Sequence, residues 1–132
     1  MRILVAEDND TNWKVINKIL ESYGIDAKRA INGKVAVEML QNSSKPYDLI
    51  FMDIQMPVMN GYEAVKAIRR LTDAEKAATP IFAMTADTFA SDIEKCKTAG
   101  MNGHLSKPIE MKKVIEIIQT IDETRAKKGK NR

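Results

Sequence analysis

DLIFMDIQMPVMNG, residues 48–61, decides how this chain is read. Leu49 to Met52 is a continuous apolar run without polar alternation, the pattern of a strand covered on both faces. A single acid, Asp53, closes the run. Pro57 and Gly61 then mark a loop and the start of a helical pattern. A carboxylate at the end of a buried strand is costly unless something pairs with it or it serves a site.

Outward from this stretch, the same grammar repeats. Arg2–Ala6 and Pro80–Met84 are apolar strands, and Pro80 opens its strand where a missing N–H matters least. Asn102–Ser106 is a short strand. Ile25–Ala30 is more polar and is expected at a sheet edge. Between the strands lie helical patterns. Thr11–Tyr23 carries Val15, Ile16, Ile19 and Leu20 and stops before Gly24. Gly33–Asn42 and Gly61–Leu71 follow. Thr88–Ala99 places Phe89, Ile93 and Cys96 about one turn apart, and Glu110–Glu123 has a stripe from Met111 to Ile121. Thr72–Thr79 reads as a polar connection. Five strands alternating with five helices predict an α/β domain, with a parallel sheet, right-handed crossovers and helices on both faces.

Composition agrees with one folded domain. The chain has 132 residues, 44% hydrophobic and 30% charged, enough for a single core. No apolar run approaches the roughly 20 residues of a membrane helix, and no leader pattern is evident. Cys96 is the only cysteine, so no internal disulfide forms, which fits a reducing, cytoplasmic setting. The net charge of +3 comes from the end of the chain. Arg125, Lys127, Lys128, Lys130 and Arg132 leave residues 1–124 at −2. The expected division is a domain over 1–124 and a basic tail over 125–132. No docking element for nucleic acid is visible, so neither nucleic acid nor membrane is an expected partner.

In a sheet of this kind ligands bind beyond the carboxyl ends of the strands. Strand one ends in Glu7-Asp8, strand three in Asp53, strand four in Thr85-Ala86 and strand five in Lys107-Pro108. Three carboxylates brought together repel one another, and a divalent cation relieves this. Oxygen donors without His or Cys favour a hard ion, Mg2+ before zinc. A carboxylate also acts as a nucleophile toward phosphorus. The charge then carried by the transferred group needs neighbours such as Lys107 and Thr85.

Taken in order, ILVAEDN, DLIFMDIQMPVMNG, IFAMTA and LSKPI resemble the receiver domain of two-component response regulators over residues 2–121. The resemblance implies a flavodoxin-like, doubly wound, five-stranded sheet in the order 2-1-3-4-5. It implies that Asp53 is the phosphoacceptor and that Asp8 ligates magnesium directly. Glu7 is its partner through water, and the backbone carbonyl of Gln55 is a further ligand. Thr85 matches the hydroxyl that bonds a phosphoryl oxygen. Lys107 matches the lysine that pairs with acceptor or phosphoryl group, and the Lys107-Pro108 bond is expected to be cis. His104 stands where the family carries a switching aromatic, and Glu7 replaces a commoner aspartate.

The function so implied is phosphoryl transfer from phosphohistidine onto Asp53, followed by a conformational switch. The donor is a histidine kinase or a histidine phosphotransfer protein. A protein partner is expected on the face formed by the fourth helix (88–99), strand five and the fifth helix (110–123). The domain is expected to signal and not to turn over a substrate. Three alternatives stand beside this reading. One is an excised receiver of a hybrid histidine kinase. A metal-dependent aspartyl-phosphate phosphatase needs a second acid two residues after Asp53, where Gln55 stands. A flavodoxin-like cofactor binder is opposed by Glu7-Asp8 in its phosphate loop. Trp13 is expected to pack beside the first helix stripe, the methionines 52, 56, 59 and 84 to serve core and loop packing, and Gly61 to serve a tight turn.

Overall fold

The computed structural model describes residues 1–86 and 90–130, with side chains for 1–86 and 92–124. Its strands are β1 (Ile3–Ala6), β2 (Lys28–Ala30), β3 (Leu49–Asp53), β4 (Ile81–Thr85) and β5 (Gly103–Ser106). Its helices are α1 (Asp10–Ser22), α2 (Gly33–Asn42), α3 (Gly61–Arg69), α4 (Ala74–Ala77), α5 (Ala90–Ala99) and α6 (Met111–Lys130). The strands form one parallel sheet in the order β2-β1-β3-β4-β5. The 2-1-3-4-5 order and the edge position of β2 are therefore as expected.

The apolar runs explain why the sheet is covered twice. Successive side chains of a strand point to opposite faces. Leu4, Ala6, Ile50, Met52, Ile81 and Ala83 pack under α2, α3 and α5. Ile3, Val5, Leu49, Phe51, Met84 and Leu105 pack under α1 and α6. Burying each large side chain contributes about 1.5–3 kcal/mol, so a polar residue inside these runs would cost a comparable amount.

The helix starts are set by short polar side chains beside the strand ends. Asn9, Asn32 and Asn60 cap α1, α2 and α3 by accepting the backbone N–H of Asn12, Val35 and Glu63. Asn60 and Glu63 complete a capping box. Each cap is worth about 1 kcal/mol and fixes where its loop leaves the sheet.

Three differences from the sequence expectation have local causes. The connection over 72–79 contains α4, started by Asp73, which accepts the N–H of Glu75 and Lys76. Four residues are too few to show a helical period. Helix α6 runs past Glu123 to Lys130, because good helix formers continue a helix after its apolar stripe ends. Asp53 and Thr85 are the last residues of their strands rather than the residues that follow them. The start expected for the fourth helix at Thr88, and Phe89 on its stripe, lie outside the described residues.

The loop after β3 is tightly held. The N–H of Met59 donates to the Pro57 carbonyl at 2.7 Å across Val58, whose φ is 70°. This is a γ-turn with its centre in the left-handed region, a costly place for a β-branched residue. A methyl group on Gly33 would strike the Met59 carbonyl, and one on Gly61 would strike the Asp53 carbonyl. Gly61 is thus required by close approach to the Asp53 backbone and not by an unusual turn conformation.

Candidate functional site

The carboxyl ends of β1, β3, β4 and β5 border an open cleft of about 330 Å3. Glu7, Asp8, Asp53, Gln55, Thr85 and Lys107 all line it. One carboxylate oxygen from each of Glu7, Asp8 and Asp53 lies within 4.8 Å of the others. Glu7 is 1% exposed and Asp53 4%, while Asp8 is exposed.

Each acid is oriented differently. Glu7 follows β1, and its N–H donates to the Ala30 carbonyl at 3.0 Å. Its Oε1 accepts from the Asn9 N–H at 3.3 Å and from Asn12 Nδ2 at 3.2 Å. Its Oε2 lies 3.5 Å from Lys107 Nζ. Asp53 Oδ2 pairs with Lys107 Nζ at 3.1 Å, and its Oδ1 accepts from the Gln55 N–H at 3.3 Å. The side chain of Asp8 makes no hydrogen bond or ion pair among the described residues.

Burial, and then the hydrogen bond and the charge of Asp53, push the Glu7 carboxyl up from 4.5 to about 7. Asn12 and Lys107 oppose this without cancelling it. Two buried acids therefore share one ammonium, and the pair lowers its repulsion by retaining a proton. A divalent cation would do the same with fixed geometry. The donor set fits magnesium: three hard carboxylate donors at an open cleft, with no nitrogen or sulfur ligand among the described residues.

Thr85 is buried at the end of β4, and its carbonyl accepts the N–H of Lys107 at 2.9 Å. That bond holds the start of the β5–α6 loop against β4, and the Lys107-Pro108 peptide is cis, as expected. His104 is half-buried and stands opposite Ala83 in the β4–β5 register. By strand alternation it shares the α5 side of the sheet with Thr85. Trp13 is partly buried against the α1–α6 core, as expected.

Two neighbours of the acids were not singled out by sequence reading. Asn12 donates to Glu7, and the signal available was a polar residue one turn into a helix that begins beside the acids. Arg29, on β2, donates to the carbonyls of Glu7 and Asp8. Nothing local marks it, because its place follows from the pairing of β2 with β1.

A doubly wound sheet with an acidic triad, a strand-end hydroxyl and a strand-end lysine is the arrangement expected of a receiver domain. The family model for the response regulator receiver domain matches residues 3–119, and the chain belongs to that family. It is 41% identical over 122 residues to hybrid signal transduction histidine kinase I of Dictyostelium discoideum, covering 90% of this chain and 7% of that protein. It is 34% identical over 143 residues to probable histidine kinase 2 of Oryza sativa, covering 99% of this chain and 13% of that protein. The chain thus spans a small fraction of these relatives. Among solved structures it resembles the receiver domain of a Pseudomonas aeruginosa sensor histidine kinase with magnesium coordinated in its active site cleft. The TM-score is 0.81 at 36% identity, covering 90% of this chain and 94% of that one. It also resembles a Saccharomyces cerevisiae receiver domain crystallised with the histidine phosphotransfer protein Ypd1. There the TM-score is 0.79 at 32% identity, covering 89% and 86%.

Proposed function

We propose that Asp53 accepts a phosphoryl group from phosphohistidine and that this switches the domain between two partner affinities. The observation that carries this reading is the pairing of a buried Asp53 with Lys107 beside Glu7 and Asp8 at an open cleft. A carboxylate oxygen of Asp53 forms the bond to phosphorus, and the phosphorus–nitrogen bond of the donor breaks. The histidine nitrogen leaves with the electron pair. Lys107 balances charge on the acceptor before transfer and on the phosphoryl group after it, and Thr85 donates its hydroxyl to a phosphoryl oxygen.

Asp8, Asp53 and the backbone carbonyl of Gln55 would hold Mg2+ directly, and Glu7 would hold it through water. When bound, magnesium neutralises charge between the acids and the incoming phosphoryl oxygens. Asn9 and Asn12 fix the orientation of the Glu7 carboxylate. The phosphatase alternative is disfavoured, since Gln55 offers no carboxyl group two residues beyond Asp53.

The phosphoryl donor is a histidine kinase or a histidine phosphotransfer protein, in keeping with the kinds of protein this chain resembles. The hybrid kinases among its relatives favour a receiver that works within or beside such a kinase. The downstream protein partner binds the face of α5, β5 and α6. His104 and Thr85 lie on the α5 side of that sheet edge, and Met111 at the start of α6 is 49% exposed. Thr85 and His104 form the switch. The chemistry is self-directed, phosphorylation and loss of the phosphoryl group, with no separate substrate. The domain comprises residues 1–124, with 125–132 as a basic tail. No helix among the described residues is long and apolar enough to cross a membrane, and we place the chain in the cytoplasm, where Cys96 stays a thiol.

The test is incubation with a small phosphoryl donor, with and without magnesium, followed by intact-mass measurement. One added phosphoryl group is expected, only with the metal, and none on Asp53→Asn. Labelling of Asp53→Asn at the wild-type rate would move the acceptor elsewhere.

A further inference from the structure

Asp8 poses a positioning problem. Its carboxylate is exposed and makes no hydrogen bond or ion pair among the described residues, yet it is the ligand that should meet the metal directly. What holds it is its main chain. Arg29 Nη2 donates to the Asp8 carbonyl at 3.2 Å, and Arg29 Nε donates to the Glu7 carbonyl at 3.0 Å. The remaining edge of the guanidinium is occupied as well, by an ion pair of Nη1 with Asp10 Oδ1 at 2.9 Å. The Trp13 ring lies beneath it, 5.8 Å from its centre. Arg29 is itself fixed by the β1–β2 register, opposite Val5. One planar cation on the edge strand thus grips the loop between β1 and α1 at two successive carbonyls and is itself gripped by the first turn of α1.

We infer that Arg29 is a positioning residue that gives the acidic site its preference for magnesium over calcium. The inference rests on the metal reading of Asp8, Glu7 and Asp53. Magnesium demands near-ideal octahedral geometry at short distances, whereas calcium accepts variable coordination at longer ones. A loop held at two successive carbonyls keeps the Asp8 carboxylate at one distance from Asp53. A loop released from that grip lets the carboxylate wander, which penalises the smaller ion more. The charge of Arg29 works the other way. A cation near the site repels any divalent ion, and its pairing with Asp10 reduces this. Because magnesium and calcium carry the same charge, the ratio of their affinities responds to geometry and not to the removed charge.

The experiment is an amide chemical-shift titration of the protein with magnesium and separately with calcium, which also reports whether each variant is folded. Wild type, Arg29→Ala and Arg29→Lys are compared. Arg29→Ala should bind magnesium about tenfold more weakly, the lower end of what outer contacts to metal ligands are worth, with a clearly smaller loss for calcium. Arg29→Lys keeps the charge but not the fork, so it should lose magnesium preference too; it carries the test alone if Arg29→Ala does not fold. An unchanged ratio of the two affinities in the folded variants overturns the inference, whether both affinities fall together or neither moves. Failure of the wild type to bind magnesium would overturn the metal reading itself, a separate and recognisable result.

Discussion

At the carboxyl edge of the sheet, Glu7, Asp8 and Asp53 crowd within 4.8 Å with Lys107 beside them. At the amino edge, Arg69 reaches across from the end of α3 and, among the described residues, meets only neutral oxygens. Its guanidinium donates to the carbonyls of Ala77 and Thr79, both at 2.7 Å, of Gly100 at 2.9 Å, and to Asn102 Oδ1 at 3.0 Å. Asn102 Oδ1 also accepts the N–H of Ile81 at 2.8 Å. Burial lowers the pKa of Arg69, but its donors are met by fixed acceptors on four residues from two stretches of chain, 77–79 and 100–102. Nearby, Arg2 and Asp48 exchange main-chain and side-chain bonds at 2.6 and 2.8 Å. The amino edge therefore closes its charge with its own chain. The carboxyl edge leaves a surplus of negative charge facing a cleft. A buried charge that the protein satisfies is architecture, and one that it leaves in excess is a place for a ligand.

This contrast breaks most directly at Arg69. Arg69→Ala leaves several carbonyls and Asn102 without their donor, and it should destabilise the fold by about 2–4 kcal/mol. Urea unfolding measures this, and magnesium affinity of the remaining folded protein should be unchanged. A weakened metal site with unchanged stability would reverse the roles of the two edges.

The opposite edge should respond with the opposite sign. Asp53→Asn removes one of the crowded carboxylates, so in metal-free buffer it should stabilise the fold by about 1–2 kcal/mol while abolishing phosphorylation. Thermal unfolding in the presence of a chelator checks it. A destabilised variant would mean that the Asp53–Lys107 pair contributes more than the repulsion from Glu7 removes.

The smallest of these effects sharpens the contrast through pH. Glu7 releases its proton near 4.5 in the unfolded chain and near 7 in the metal-free fold. The folded state therefore binds the extra proton between these values. The contribution of Glu7 to stability is fully present below 4.5 and is lost as pH rises to about 7. Magnesium needs the ionised acid, so its affinity should move the other way and weaken about tenfold as pH falls from 8 to 6. Titrations at both values test this, with Glu7→Gln expected to be flat. Wild-type affinity that does not change with pH would show that Glu7 is not the group in competition.

Much of the site was legible before any coordinates. Asp53, Thr85 and Lys107 are polar residues at the ends of apolar runs, and strand ends on one side of a parallel sheet must converge. Glu7-Asp8 is conspicuous for the same reason. Other residues were not legible. Arg69 looks like any basic residue on the last turn of a helix, and its acceptors lie on segments 8 to 33 residues away. Helix α4 is too short to display a period. The role of Gly61 depends on how closely α3 approaches the Asp53 carbonyl.

By itself the sequence determined the alternation of strands and helices, the double covering of the sheet and the chemical types at its carboxyl edge. These follow from local periodicity and from the high cost of burying charge along an apolar run. Only the tertiary structure decided which side chains hold those acids in place. Asn12 reaches Glu7 because α1 starts directly beneath it, and Arg29 reaches Glu7 and Asp8 because β2 pairs with β1 in the register that sets Arg29 opposite Val5. A register between strands more than twenty residues apart is set by the packing of whole faces, and no short stretch of sequence carries that information.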